Sequence, residues 1–153
     1  MTRAKKPKAG PKKPRQPKRA LARRTPKVAG AADSAAAAQH AGWERVCNIA
    51  LDFPGMEVST SYGTPALKVK GKFMARMRSE AEGGLAIRCD FVDRQMLLAA
   101  APEVFFLTDH YRDSPMILVR LDQVRADALP DLIERAWRMT APKKLIDAYD
   151  AAR

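Results

Sequence analysis

Long apolar runs are missing from this sequence of 153 residues. No stretch approaches the ~20 consecutive apolar residues that a membrane-spanning helix needs. The charged N-terminus also lacks the apolar segment of a secretory signal peptide. We therefore expect a cytoplasmic protein with no membrane partner. The length suits one small domain plus an appendage, because domains of ~100–150 residues are the commonest size.

Cysteine is scarce, and the familiar catalytic motifs are absent. The only two cysteines, Cys47 and Cys89, fall on predicted apolar faces, so we interpret both as reduced structural residues. A disulfide or a redox pair is the alternative. The sequence contains no glycine-rich phosphate loop, GxSxG elbow, HExxH helix or CxxC pair. We therefore predict a non-enzymatic protein with no catalytic residue, no metal site and no cofactor.

Histidine is equally scarce, and only one of the two histidines lies in a polar cluster. His40 has no neighbour at metal-ligand spacing, which indicates a surface residue. His110 lies in the polar segment 108–114, whose Asp and Ser side chains could supply an orienting carboxylate and a nucleophile. His110 with Tyr111 and Arg112 makes a better binding group, since an aromatic ring can stack and arginine can grip phosphate. An ordinary surface loop is the alternative.

Acidic residues are absent from the first 28 positions, which instead hold 12 Lys or Arg and five prolines. Large apolar side chains that could offset the entropy of ordering are almost absent there, so we predict a disordered basic tail over residues 1–28. Single-sign runs of this kind commonly bind nucleic acid, and a solubilising extension is the alternative. The predicted phosphate contacts in the tail are Lys5, Lys6, Lys8, Lys12, Lys13, Arg15, Lys18, Arg19, Arg23, Arg24 and Lys27.

The formal net charge of +11 is carried almost entirely by this tail. Of the 28 Lys and Arg, 12 lie in the tail, which leaves 16 in residues 29–153 against all 17 Asp and Glu. An Ala-rich linker over residues 29–38 is predicted to connect the tail to a nearly neutral domain over residues 39–153. The tail is therefore expected to supply most of the affinity for phosphates.

Hydrophobic periodicity predicts helices and strands in an order typical of an α+β fold. The first helix begins near Asp33 or Ser34, either of which can cap it, and runs to about Leu51. The predicted strands are Glu57–Tyr62, Ala66–Lys70, Lys72–Arg78, Gly84–Cys89, Val104–Leu107 and Met116–Leu121, and the later helices are Phe91–Ala100, Asp127–Met139 and Lys143–Tyr149. We therefore predict an antiparallel sheet with helices packed on one face.

A basic β-hairpin occupies residues 66–78 in this interpretation. Strand alternation separates its side chains into an apolar face and a basic face. The apolar face consists of Leu67, Val69, Phe73, Ala75 and Met77, and the outward face of Lys68, Met74, Arg76 and Arg78. For Val69 and Phe73 to share a face, they must pair across a three-residue loop, Lys70-Gly71-Lys72.

The basic hairpin is the second predicted contact surface for nucleic acid. Its candidate phosphate contacts are Lys68, Lys70, Lys72, Arg76 and Arg78, with Tyr111 and Arg112 alongside. A solvated strand face is the alternative, because Lys and Arg commonly line exposed strands and block unwanted pairing at a sheet edge.

Four runs of the sequence together resemble the MmcQ/YjbR-like family of small bacterial proteins. They are PGMEVSTSYGTPALKVKGKFMARM, LAIRCD, AAAPEVFFLTDHYRDSPMILVRLD and LIERAWRMTAPKKL, and the resemblance spans roughly Gly42 to Tyr149 in matching order. It implies a compact α+β domain similar to the frataxin-like CyaY fold, in a double-wing arrangement, with DNA-binding activity. It implies no catalytic residues.

These observations lead to the hypothesis of a non-enzymatic DNA-binding protein whose basic tail makes non-specific phosphate contacts. A protein-interaction or small-ligand-binding module with an incidental tail is the alternative, and an enzyme built around His110 is a third. A concave apolar pocket near His110 would favour the module, whereas a continuous positive surface would favour nucleic acid.

Overall fold

The computed structural model describes residues 30–79 and 81–153. The predicted basic tail, with its eleven candidate phosphate contacts, lies outside the described residues. The described helices are α1 (Gly30–Ala50), α2 (Phe91–Ala100), α3 (Leu129–Thr140) and α4 (Lys143–Ala151). The strands are β1 (Met56–Ser61), β2 (Thr64–Val69), β3 (Lys72–Met77), β4 (Leu85–Arg88), β5 (Phe105–Phe106) and β6 (Met116–Val119). None of the described helices combines the length and the apolar character needed to cross a bilayer.

Within the described part of the chain, the strands form one six-stranded sheet in the order β1-β2-β3-β4-β6-β5. Every pair of neighbouring strands is antiparallel. The register places Leu67 opposite Ala75, and Ile87 of β4 lies opposite both Ala75 and Ile117. These residues make one continuous apolar row across four strands. The predicted α+β fold with an antiparallel sheet is therefore confirmed.

The described helices pack on one face of the sheet, as predicted, and bury the core there. Trp137 of α3 is fully buried, and its indole Nε1 donates a hydrogen bond to the Pro54 carbonyl (3.0 Å). Its ring contacts Phe53 and Tyr149, with ring centroids 5.4 and 5.0 Å apart. The tryptophan thus fixes α3 and α4 against the turn that follows α1.

The β2–β3 hairpin has a different phase from the one that strand alternation predicted. Val69 pairs with Lys72 across a two-residue turn, Lys70-Gly71, in which both residues have positive φ (50° and 80°). Turns of this kind match the right-handed twist of the flanking strands. The predicted pairing of Val69 with Phe73 is therefore wrong, and Phe73 instead lies opposite Lys68.

A β-bulge then restores the alternation beyond the turn. The register shifts in the middle of β2, which leaves Met74 without a direct partner on that strand. Met74 is consequently fully buried in the core, although it was predicted to face outward, and Phe73 packs on the opposite side of the sheet. Ala75 and Met77 point into the core as predicted.

Helix α1 begins at Gly30, before the predicted start near Asp33 or Ser34. The predicted linker, residues 29–38, overlaps the predicted start of this helix, and its described residues 30–38 are all helical. Alanine has the highest intrinsic helix propensity, so a run of alanines readily extends an adjoining helix. Helix α2 begins and ends as predicted, and the Asp90 carboxylate accepts hydrogen bonds from two backbone N–H groups of its first turn.

Candidate functional site

The face of the sheet opposite the helices, here called the outer face, is only partly covered. The segment 107–115 between β5 and β6 folds over one end of it, where Tyr111 clusters with Ala86, Met116 and Leu118. The rest of the outer face, over β2 and β3, forms an open groove of about 570 Å³. The lining of this groove includes Tyr62, Lys68, Phe73, Arg76, Arg88 and His110.

Three cations line the groove, and acidic side chains lie only beside it. Glu57 of β1 is directly opposite Lys68. Hydrogen bonds from Ser79 lower the pKa of the Glu82 carboxyl, and Arg76 is close enough for its charge to contribute to this shift. Lys68 of β2, Arg76 of β3 and Arg88 of β4 contribute their side chains, and no Asp or Glu is among the lining residues. In the part of the chain that the structure describes, none of the three takes part in an ion pair. The groove is therefore positive, although residues 29–153 are nearly neutral as a whole.

Arg76 is held in place by uncharged partners. Its Nη2 donates a hydrogen bond to the Tyr111 hydroxyl (2.8 Å), and its Nη1 donates a longer one to Thr64 Oγ1 (3.4 Å). The guanidinium carbon also lies 5.4 Å from the centroid of the Tyr62 ring. Because none of these partners carries a negative charge, Arg76 is oriented while its positive charge remains available to an anion.

Tyr62 stands at the tip of the β1–β2 turn, where it is 91% exposed. Tyr62 and Gly63 both have positive φ (52° and 75°), which gives the same kind of two-residue turn as the one between β2 and β3. Positive φ is uncommon for a bulky residue and costs conformational strain. Packing into the core does not explain an aromatic side chain at this position.

Arg94 of α2 fixes the segment that covers one end of the outer face. It is buried, and its guanidinium donates hydrogen bonds to four backbone carbonyls. The acceptors are Tyr111 (3.3 Å), Arg112 (2.9 Å), Ser114 (2.8 Å) and Met116 (3.3 Å). One guanidinium that gathers several carbonyls of a segment restrains its conformation. The position of Tyr111 and its neighbour His110 in the groove therefore depends on Arg94.

Arg78 and Arg112, both predicted as phosphate contacts, are engaged in local contacts. Arg78 donates hydrogen bonds to the carbonyls of Gly83 (3.1 Å) and Glu82 (3.4 Å), and only 9% of its side chain is exposed. It thereby holds the loop that follows β3. Arg112 pairs with the Asp109 carboxylate and does not line the groove.

Lys70 and Lys72 also lie away from the groove. The Lys70 backbone N–H donates to the Gly55 carbonyl (3.0 Å), and its aliphatic stem passes beside Gly55. Lys72 is opposite Val69, whose side chain is buried in the core on the helix side. The members of the predicted hairpin and loop set that the structure brings together in the groove are Lys68, Arg76 and Tyr111.

Tyr62, Phe73 and Arg88 are groove residues that the sequence-based prediction left out of the site. Arg88 alternates outward in the predicted fourth strand, and this signal could have found it. Phe73 faces outward only because of the two-residue turn that precedes it. A Tyr-Gly pair between two strands is the signal that could have placed Tyr62 at a turn tip.

His110 contacts an aromatic neighbour and not the Asp and Ser side chains of its own segment. Within the described residues, no hydrogen bond or ion pair joins His110 to Asp109, Asp113 or Ser114. Its ring instead contacts Tyr111 edge to face, with centroids 4.8 Å apart. Among residues 30–79 and 81–153, no three His, Cys, Asp or Glu side chains are grouped to hold a metal ion.

Both cysteines are free thiols. Burial raises the pKa of the Cys89 thiol to about 11, and the nearby Asp90 carboxylate contributes to the shift. Burial also raises the pKa of the Cys47 thiol, with a smaller contribution from Glu44. The thiolate is the reactive form of cysteine, so neither side chain is activated as a nucleophile near neutral pH.

The fold and the groove together define a small α+β domain with a cationic, aromatic-lined face on its sheet. The chain belongs to the YjbR family, whose model matches residues 51–139. This range runs from the end of α1 into α3 and contains every groove residue named above. The family resemblance stated from the sequence is thereby confirmed.

The similar proteins that were found are mycobacterial. The uncharacterized protein Rv2570 of Mycobacterium tuberculosis is 34% identical over 88 residues, which cover 56% of this chain and 68% of the relative. The uncharacterized protein Mb2600 of Mycobacterium bovis matches with the same identity and coverage. No solved structure matches the chain.

Proposed function

We propose that this protein binds nucleic acid, specifically DNA, through the groove and the basic tail, without converting it chemically. The observation that carries the proposal is the set of three groove cations, Lys68, Arg76 and Arg88, with no carboxylate among the lining residues. Contacts from Lys and Arg to phosphate oxygens account for much of the binding energy in protein–DNA complexes. The proposed location is the cytoplasm.

The arrangement of the cations supports contact with an extended phosphate backbone. Lys68, Arg76 and Arg88 lie on three adjacent strands. Neighbouring strands are ~4.8 Å apart, so the three side chains originate from a surface roughly 10 Å wide. That width covers more than one phosphate of a nucleic-acid strand, because phosphates of one strand follow at ~3.4 Å along the axis of a duplex.

The groove and the tail have different proposed roles. The tail carries 12 cations and no acid, so it would provide attraction that is independent of base sequence and strongly dependent on salt. The groove cations stand on strands of a closely packed sheet, and Arg76 is further restrained by Tyr111. The groove would therefore set the orientation of the bound strand, while the tail provides most of the affinity.

Fluorescence anisotropy with a short labelled DNA, measured between ~50 and ~200 mM salt, tests this division. The full chain is compared with a chain that begins at Ala29, which retains all of α1. Loss of the tail should weaken binding strongly and flatten the salt dependence. The Lys68→Gln/Arg88→Gln double variant of the full chain should weaken binding by a smaller factor.

The matched control for the groove is the Lys70→Gln/Lys72→Gln double variant. It removes the same charge from the same hairpin region but from outside the groove. If the two double variants lose affinity equally, net charge alone determines binding and the groove is not the contact surface. If neither tail removal nor groove neutralisation changes binding, nucleic acid is not the ligand.

A small anionic ligand is a second candidate, because of the size of the groove. Its volume of about 570 Å³ falls within the ~300–1,000 Å³ typical of small-molecule sites. Half-buried Phe73 and buried Met116 give it an apolar part beside the cations. Calorimetric titration with mononucleotides and inorganic phosphate would distinguish this candidate, since it requires binding that does not depend on the tail.

A further inference from the structure

We infer that the groove binds an unpaired nucleotide, with its base stacked on Tyr62, so that the protein prefers single-stranded to duplex DNA. This inference rests on the proposed function and adds the form of nucleic acid that the groove accepts. It is drawn from the position of Tyr62, from the contact beneath its ring, and from the cations at the other end of the groove.

Among the described residues, Tyr62 is the most exposed large hydrophobic residue. It is 91% exposed, whereas the next is Val92 on α2 at 69%. The tyrosine ring stands on a two-residue turn between paired strands, and positive φ at both turn residues restrains the backbone below it. A tyrosine side chain has only two rotatable bonds, so an aromatic ring exposed at a turn offers a flat surface to a ligand at little cost in conformational entropy.

The contact with Arg76 leaves one side of the Tyr62 ring available. The guanidinium carbon of Arg76 lies over the ring, 5.4 Å from its centroid, so the arginine approaches the ring from one side only. The high exposure of the ring shows that its other surface meets solvent. A base stacked on that surface would complete a layered arrangement of cation, ring and base, and such stacking is tolerant of base identity.

The cations that can receive the phosphates lie further along the same hairpin. Lys68 is four residues beyond Thr64, the first residue after the Tyr62-Gly63 turn, so it is roughly 13 Å along β2 at ~3.3 Å per residue. Arg88 lines the same groove. An extended strand with its base at Tyr62 could therefore reach these cations with a neighbouring phosphate. His110, whose ring contacts Tyr111 edge to face, adds a second ring to the lining of the groove.

Duplex DNA cannot use this arrangement fully. Its bases are paired and stacked inside the helix, so they present edges in the grooves and no free face to Tyr62. Single strands expose the faces of their bases, and removal of one stacking aromatic typically lowers single-strand affinity roughly 5- to 150-fold. Tyr62 should therefore contribute to binding of single strands and contribute nothing to binding of a duplex.

The test uses the full chain with three probes of equal length: single-stranded oligothymidine, the same backbone with abasic sites, and a duplex. Tyr62→Ala should lower affinity for oligothymidine roughly 5- to 150-fold and leave affinity for the other two probes unchanged. Tyr62→Phe keeps the ring and should bind like the parent. Alanine, phenylalanine and tyrosine share the same restriction at positive φ, so these variants place similar strain on the turn.

Val58→Ala serves as the matched surface control, because Val58 is an exposed apolar residue of β1 that does not line the groove. Equal loss of affinity for all three probes in Tyr62→Ala, or no loss for any of them, would overturn the inference.

A second variant separates the failure of this inference from the failure of the proposed function. If Lys68→Gln/Arg88→Gln weakens binding of every probe while Tyr62→Ala changes nothing, the proposed function stands and the stacking inference fails. If the parent binds none of the probes, both fail. Free thymidine monophosphate should not displace oligothymidine when both are present at the same concentration of nucleotide. Displacement would show that the groove binds single nucleotides as well as it binds a strand.

Discussion

The same strands place buried apolar side chains on one face of the sheet and groove-lining cationic side chains on the other. On the helix side, side chains such as Met74, Ile87 and Trp137 are fully buried in one apolar cluster. On the outer face, Arg76 of the same strand as Met74 and Arg88 of the same strand as Ile87 line an open groove. Packing accounts for the residues of the first face. Packing does not account for the cations and the exposed ring of the second face, and under the proposed function they bind a ligand.

The largest difference between the faces should appear when one aromatic residue is removed from each. Trp137→Ala removes a fully buried ring and its hydrogen bond to Pro54, so we expect a loss of ~3–5 kcal/mol in the free energy of unfolding. Tyr62→Ala removes a ring that is almost wholly exposed, so the free energy of unfolding should change by less than about 0.5 kcal/mol. Urea denaturation of both variants measures the contrast. Comparable losses would contradict the assignment of the two faces.

The β-bulge predicts which of two adjacent residues matters more for stability. Met74→Ala should cost ~2–5 kcal/mol, because the side chain is fully buried among apolar neighbours. Phe73→Ala removes a half-buried ring on the outer face and should cost less. The phase predicted by simple alternation gives the reverse order. Denaturation curves in which Phe73→Ala is the more damaging variant would show that the turn and the bulge are wrong.

The next comparison is between two arginines of the helices: buried Arg94, which holds the segment 107–115, and exposed Arg135. Arg94→Ala leaves four backbone carbonyls without their donor and should destabilise the protein by ~1–3 kcal/mol. It should also weaken DNA binding, because Tyr111 and His110 lose their support. Arg135→Ala breaks exposed ion pairs with Asp93 and Asp131, which are worth ~0–1 kcal/mol. Equal stability and equal affinity of the two variants would remove the positioning role of Arg94.

The smallest effect on stability is expected from the groove cations. Lys68→Gln/Arg88→Gln removes two charges that form no ion pair with the described residues, so the free energy of unfolding should change by less than about 0.5 kcal/mol. The same double variant should reduce the slope of log affinity against log salt for single strands by up to ~1.4, or ~0.7 for each lost phosphate contact. A large loss of stability would indicate a structural role instead.

Much of the fold could be predicted from the sequence because hydrophobic periodicity is a local signal. The ends of α2 follow from the Asp90 cap and from Pro102, and the strands of the hairpin follow from alternation. The hairpin phase could not be predicted, because it depends on the turn type. Lys70 adopts positive φ there, which favours Asn or Gly and is unusual for lysine. A three-residue loop without a bulge and a two-residue turn followed by a bulge both place Ala75 and Met77 on the core side of β3. The sequence pattern therefore does not distinguish between them.

The candidate site was harder to predict, since the partner of an arginine depends on loop conformation. Arg76 and Arg78 both alternate outward in the sequence, yet Arg78 is held by the Gly83 carbonyl in its own loop, whereas Arg76 is held by the Tyr111 hydroxyl in the groove. Arg112 finds Asp109 within its own turn. Arg94 gave no signal, because a single arginine in an amphipathic helix is normally solvated. Local alternation therefore identifies arginines that could bind a phosphate. Only the tertiary contacts show which of them line the groove and which are held within their own loops.

We propose the outer face of the sheet as the nucleic-acid surface of the domain. The most direct measurement is a titration of the ¹⁵N-labelled full chain with single-stranded oligothymidine, followed by amide chemical shifts. Within residues 30–153, we expect the largest shifts at the groove residues and their immediate neighbours, that is at Tyr62, Lys68, Arg76, Arg88 and His110. Shifts confined to the basic tail, or shifts on α1 and α4 with the groove unchanged, would contradict the proposal.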